Sequence, residues 1–250
     1  MTAREWDAAS YDRVAIPQAR WAAPLLDHLR PQGVHRLLDA GCGSGRVTQA
    51  VLERLPDAHV VALDGSRHML DEAARRLAPE VAAGRVSFVH ADLNRPIPLD
   101  EPVDAIVSTA TFHWVPDHDD LFANLASVLR PGGQLVAQCG GAGNVGRVVV
   151  ALADIGESWH PWVFPSAEEA AARLESNGFA SVRTWLHDES ATFETRAALE
   201  EFLATVVLGA HLHRLAAEER QPFVGRVAGA LPGPTIDYVR LNMLAVRAGG

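Results

Sequence analysis

The 250-residue chain contains no lysine: all 22 basic residues are arginines, set against 31 acidic ones, for a formal net charge of −9. No basic run occurs, and a dedicated nucleic-acid binder would need clustered cations to neutralise phosphates, so that class is excluded. Without lysine a G-x-x-x-x-G-K phosphate loop cannot exist. Cysteine is scarce as well. Cys42 and Cys139 lie far apart, which suits a reducing compartment and not a disulfide scaffold. No apolar run approaches the roughly 20 residues of a membrane helix. The first residues, MTAREWDAAS, are polar and charged, unlike a secretory signal. The expectation is a soluble, cytoplasmic protein, a monomer or homodimer without nucleic-acid or membrane partners.

What the chain does have is alternation. Short apolar runs at 34–40, 59–64, 85–92, 103–108 and 134–139 alternate with helical patterns at 46–55, 66–78 and 117–133. That is the mark of a parallel sheet flanked by helices. Ser166 and Glu169 form a capping box for a helix reaching about Asn177. Strands follow at 181–190 and 235–248, with helical patterns between them at 196–209 and 214–230. No linker or repeat divides the chain, so a single α/β domain over 1–250 is expected.

The first strand runs into LLDAGCGSG, with glycines at 41, 43 and 45. Such glycines permit positive φ and clear side chains from a ligand's approach to the backbone. A dinucleotide turn, G-x-G-x-x-G, would need a third glycine where Arg46 stands, so a nicotinamide oxidoreductase is disfavoured. Asp39, Asp64 and Asp92 close the first three strands. Three acids at neighbouring strand ends would repel a pyrophosphate, but they suit a ligand with a ribose, an amino group and positive charge. S-adenosylmethionine (SAM) fits that description.

LLDAGCGSG, VVALDGS, HADL and LRPGG, in this order and spacing, resemble the class I SAM-dependent methyltransferases. WDAASYDR at the start and HWVPDH at 113–118 look more narrowly like the trans-aconitate methyltransferase group of small-molecule methyltransferases. The resemblance implies a Rossmann-like seven-stranded sheet, mostly parallel with an antiparallel last strand, helices on both faces and a helical cap insertion. It implies a SAM-binding core at 31–140 and cap or substrate-pocket segments at 141–165 and 195–232. It also implies a donor site: Asp39, Ala40, Gly41, Gly43 and Gly45 around the methionine end, Asp64, Gly65, Ser66 and Met69 at the ribose. Ala91, Asp92 and Leu93 would frame the adenine, with Thr109 at the end of the fourth strand and Tyr11 folding over the donor. S-adenosylhomocysteine (SAH) would be the product.

The acceptor side is less determined. His113 follows the fourth strand, where a general base or an orienter of the acceptor would stand; packing beside Trp114 explains it equally well. Trp159 and Trp162, in the aromatic connection SWHPWVF, are candidates with Tyr11, Trp21 and Trp114 for an acceptor pocket, or else anchor the cap. A carboxylate acceptor would want a cation, for which Arg20, Arg147 and Arg240 are candidates. His211 and His213 do not share a helix face, and no metal site is expected. The leading reading is O-methylation of a small carboxylic acid. The alternatives are C- or N-methylation with His113 as base, and a non-catalytic SAM-binding protein.

Overall fold

The computed structural model describes residues 23–249. Its sheet has seven strands in the order β3-β2-β1-β4-β5-β7-β6. They are β1 (Arg36–Ala40), β2 (His59–Asp64), β3 (Val86–His90), β4 (Val103–Thr109), β5 (Leu129–Gly140), β6 (Phe179–Thr192) and β7 (Thr235–Arg247). Strands β1 to β5 pair in parallel, while β7 runs antiparallel between β5 and β6. The expected mostly parallel sheet with a reversed last strand is therefore present.

Successive strand residues face opposite sides, and both sides here are apolar. Leu37, Val60, Ala105 and Val136 enter one core, which α1 (Arg46–Arg54) and α2 (Arg67–Arg76) cover through Val51, Leu52 and Leu70; the short α3 (Ala78–Ala82) follows. Leu38, Val61, Ile106 and Leu135 enter the other, covered by α4 (His118–Val128). Two-sided burial is why these strands read as continuous apolar runs and not as alternating ones.

A third cluster lies beyond the sheet's carboxyl edge. It joins α5 (Gly146–Asp154), α7 (Arg196–Phe202) and α9 (Ala217–Ala230) to Trp162 and to Ile236 and Tyr238 of β7. Between the first two of these helices, α6 (Ala167–Ser176) carries the expected Ser166–Glu169 capping box and packs on the second core. The short α8 (Gly209–Leu212) precedes α9.

The helices show the larger differences from the sequence reading. The helix read over 66–78 is α2, which stops at Arg76, and a separate short helix, α3, follows it from Ala78. The helix read from 117 and stopped by Pro131-Gly132-Gly133 ends slightly earlier, at Val128, because Leu129 pairs with Val103. The helix expected over 196–209 breaks after Phe202 into a π-helical turn, Leu203–Val207, closed by Leu208 N–H donating to the Leu203 carbonyl at 2.7 Å. Finally, α5 occupies part of what reads as a glycine-rich connection. Its Val148, Ala151 and Leu152 recur at helical spacing, a signal masked by the β-branched run at 148–150.

Candidate active site

Strands β1 and β4 are neighbours although β2 and β3 separate them in sequence. The chain thus winds outward both ways from this boundary. In open α/β sheets that switch point, outside the carboxyl ends of the strands, is where ligands bind. The glycine turn leaves β1 on one side of it, and residues 110–115 leave β4 on the other.

All three turn glycines adopt positive φ: +85° at Gly41, +54° at Gly43 and +83° at Gly45. The turn is tied back to β2 by Gly41 N–H and Cys42 N–H, which both donate to the Leu63 carbonyl at 2.8 and 2.9 Å. A Cβ at Gly41 would stand 2.3 Å from the Thr111 side chain, so the β1 and β4 connections could not otherwise approach this closely. Among the described residues, nothing lies within 4 Å of where a Cβ at Gly43 would stand.

Asp64, half-buried at the end of β2, accepts from Gly43 N–H and from Ser66 N–H, both at 2.8 Å. Its carboxylate is thereby fixed between turn and helix. Ser66 caps α2, accepting from Met69 N–H. Asp39 is placed differently: it is 1 % exposed beneath the turn and accepts from Thr48 Oγ1 of α1 at 2.6 Å. Burial, partly offset by that bond and reinforced by the Asp64 charge, pushes its carboxyl up to about 7. Asp92, two residues past β3, accepts from the backbone N–H of Asn94 at 3.0 Å and from its side-chain amide at 2.6 Å, closing a turn. The three acids do lie on neighbouring strands, but Asp39 acts from below. Of the other donor-site candidates, Ala40, Met69 and Leu93 are buried, and Gly65, Ala91 and Thr109 are half-buried. Tyr11, Trp21 and Arg20 lie outside the described residues.

Beyond β4 a small cavity of about 40 Å³ opens between the sheet edge and the third core. His113, Trp114, Trp162, Phe164, Tyr238 and Arg240 line it, together with Ala110, Asn144 and Val145. Val206 and Val207 of the π-helical turn complete the wall. Ala110 and Val145 hold positive φ of 57° and 48°, a strained conformation for residues with a Cβ and most of all for a β-branched one. Such strain persists only where the surroundings impose it, typically at functional sites. Here Val145 N–H is held by the Asp237 carbonyl at 2.7 Å and Ala110 N–H by the Gln138 carbonyl at 2.8 Å.

His113 is buried, and its Nδ1 accepts from Gly140 N–H at 3.3 Å. The ring proton of the neutral imidazole therefore sits on Nε2. Burial, then the Arg240 charge, then His118, hold its pKa well below the usual histidine value. Arg240, only 2 % exposed, donates through Nε to Gln138 Oε1 at 3.2 Å. Of the three arginines singled out from sequence, Arg147 is exposed on α5, whereas Arg240 lines the cavity.

The aromatic connection divides. Trp162 stacks on Phe164, with centroids 5.8 Å apart, and both face the cavity. Trp159 does not line it. That residue is 39 % exposed, with Arg214 4.1 Å over its ring and His211 against its edge, so it closes the outside of the cap. Among the described residues no group of three or more metal-ligating side chains forms, and no helix is long and apolar enough to cross a membrane.

Residues 37–133 match the model of a family described as a methyltransferase domain. A trans-aconitate 2-methyltransferase of Streptomyces coelicolor is 40% identical over 142 residues, which take in 56% of this chain and 46% of that relative. The chain thus spans about half the length of such relatives. A second trans-aconitate 2-methyltransferase, from Methylobacterium nodulans, is 31% identical over 238 residues, covering 91% of this chain and 89% of the relative. The chain belongs to the class I SAM-dependent methyltransferases. The fold agrees: Haemonchus contortus phosphoethanolamine N-methyltransferase 2, solved with phosphomonomethylethanolamine and SAH, superposes at a TM-score of 0.64. That likeness has 17% identity and covers 97% of this chain and 57% of the other.

The residues present fit the family's cofactor. The Asp64 carboxylate, fixed by the Gly43 and Ser66 N–H groups, only accepts hydrogen bonds, which suits the hydroxyl donors of a ribose diol. Gly43, whose N–H binds that carboxylate, has no described residue within 4 Å of a Cβ position, so its lack of a side chain leaves the approach to Asp64 clear of the described residues. Acids at adjacent strand ends favour a cation. Two features of the cavity escape sequence reading: the burial of Arg240, and the π-helical wall. Strand β7 also carries Thr235, Asp237, Asn242 and Arg247, so nothing in its sequence sets Arg240 apart.

Proposed function

We propose that this chain transfers a methyl group from SAM to a small organic acid, forming a carboxylate ester. The observation that carries the reading is a buried guanidinium, Arg240, lining an aromatic cavity across the switch point from the glycine turn. The trans-aconitate 2-methyltransferases named above support it, since their acceptor is such an acid.

When bound, SAM would supply an electrophilic sulfonium methyl for a nucleophilic oxygen, the C–S electron pair staying with sulfur in the product SAH. Asp64 would hold the ribose, Gly41, Gly43 and Gly45 the methionine end, and Asp92 the adenine edge. The protein's remaining task is positioning, which supplies much of the rate of a displacement. Arg240 would form a forked pair with one acceptor carboxylate. A carboxylate neutralised in that way is the poorer nucleophile, so the reacting group is a second carboxylate on the same acceptor. The walls of Trp114, Trp162 and Phe164 exclude water, and segments 141–165 and 195–232 act as the cap that shapes the pocket. His113, with its proton on Nε2, would donate a hydrogen bond to the acceptor. A carboxylate is already deprotonated and needs no base, whereas a base role for His113 would require giving up the Gly140 bond. This argues against the C- and N-methylation readings.

Incubation with SAM and a panel of di- and tricarboxylic acids, trans-aconitate included, tests the proposal through SAH release and a base-labile ester. SAH formation with amines or phenols and with no acid would overturn it.

A further inference from the structure

The side chains behind Arg240 have one consistent proton arrangement. A guanidinium only donates, so the group 3.2 Å from Arg240 Nε must be the carbonyl oxygen of Gln138. That turns Gln138 Nε2 the other way, to donate to Asn242 Oδ1 at 2.8 Å. Asn242 Nδ2 is then directed at His187 Nδ1, 2.9 Å away, with the Trp185 and Arg240 carbonyls at 3.4 Å. His187 must accept at Nδ1 and carry its proton on Nε2, which lies 3.7 Å from the Glu189 carboxylate. The register makes the relay continuous. Gln138 of β5 stands opposite Asn242 of β7, and His187 of β6 opposite Arg240.

Gln138 and Asn242 are both buried. A buried amide pair is at best neutral for stability against apolar residues of the same shape. What it adds is direction: reversing Gln138 would set donor against donor at the guanidinium, and reversing Asn242 would do so at Gln138 Nε2.

We propose that Gln138 and Asn242 are positioning residues that aim Arg240 at the acceptor, so that selectivity for an acid is set by a relay across three strands. The inference rests on the acid-acceptor reading above.

The test uses the full chain in four forms: wild type, Gln138→Leu, Asn242→Leu and Asn242→Asp. The leucine variants break the relay. Asn242→Asp keeps the oxygen that Gln138 needs. Expected are a rise of about tenfold in KM for trans-aconitate in both leucine variants, with kcat and SAH affinity little changed, and rescue of KM in Asn242→Asp. Hydrogen exchange at Arg240 Nε–H, followed by NMR on arginine-labelled protein with no acceptor present, should speed up in the leucine variants alone. An unchanged exchange rate overturns the relay, as does parallel loss of KM, kcat and SAH affinity in the leucine variants. If trans-aconitate is not methylated by the wild type, the exchange measurement still decides the relay, and the failure belongs to the acid reading.

Discussion

Gly140 N–H donates to His113 Nδ1, and that one bond decides what the histidine does. It occupies the lone pair through which a neutral imidazole would abstract a proton and leaves Nε2–H as a donor. Removing a general base typically costs 10²–10⁴-fold. His113→Ala is therefore expected to lower kcat/KM by only about tenfold, the worth of one buried hydrogen bond, with SAH affinity intact. Steady-state kinetics check this, and a loss beyond a thousandfold would reinstate the base.

The same neighbourhood constrains Gly140 itself. A Cβ there would lie 2.6 Å from Asn144 Nδ2 and 2.7 Å from Phe164 Cε1. Both residues line the cavity. Gly140→Ala should destabilise by about 1–3 kcal/mol through overpacking and raise the acceptor KM, while SAH binding stays close to wild type. Urea unfolding with calorimetry of SAH measures both effects; a variant with wild-type stability and KM would show that the wall yields freely.

On the proposed reading, Asp64 holds the ribose of the donor. Asp64→Ala is expected to weaken SAM and SAH binding by about 1–3 kcal/mol, since it leaves hydrogen-bonding groups unpaired. Isothermal titration reads the change directly. An unaltered dissociation constant would remove the ribose assignment.

Asp39 makes a prediction in pH. Its folded value of about 7 lies above the ordinary 3.8, with burial as the largest cause. A group raised in this way holds its stability below the unfolded value and loses it as pH rises through about 7. Asp39→Asn mimics the protonated form. It should exceed wild type in stability by about 2–4 kcal/mol at pH 8, with the gap closing toward pH 4. Denaturation midpoints across that range test it, and a variant less stable than wild type at pH 8 would contradict it.

How much of this was legible depended on whether the signal was local. The glycine turn could be read because only glycine adopts its backbone cheaply, and all three positions do have positive φ. Strand β2 was legible to the residue, since both its faces are buried and its ends are polar. Asp117 was readable as the cap of α4, where it accepts from the N–H groups of Asp119 and Asp120. The cavity proposed for the acceptor was not legible, because it is assembled across the chain: His113, Trp162 and Arg240 meet only through the third core. Arg240 carried no local sign of its burial, which follows from β7 being inserted between β5 and β6. Nor did Trp159 and Trp162 differ in sequence character, although one faces the cavity and the other the outside of the cap.

The central claim is that a cationic donor on the acidic strand edge faces an anionic acceptor held by a buried arginine. A crystal structure of the ternary complex with SAH and trans-aconitate tests it most directly. The account predicts the ribose hydroxyls on Asp64, one acceptor carboxylate forked on Arg240, and a second carboxylate oxygen directed at the SAH sulfur. An acceptor bound away from Arg240, or a ribose held by groups other than Asp64, would contradict it.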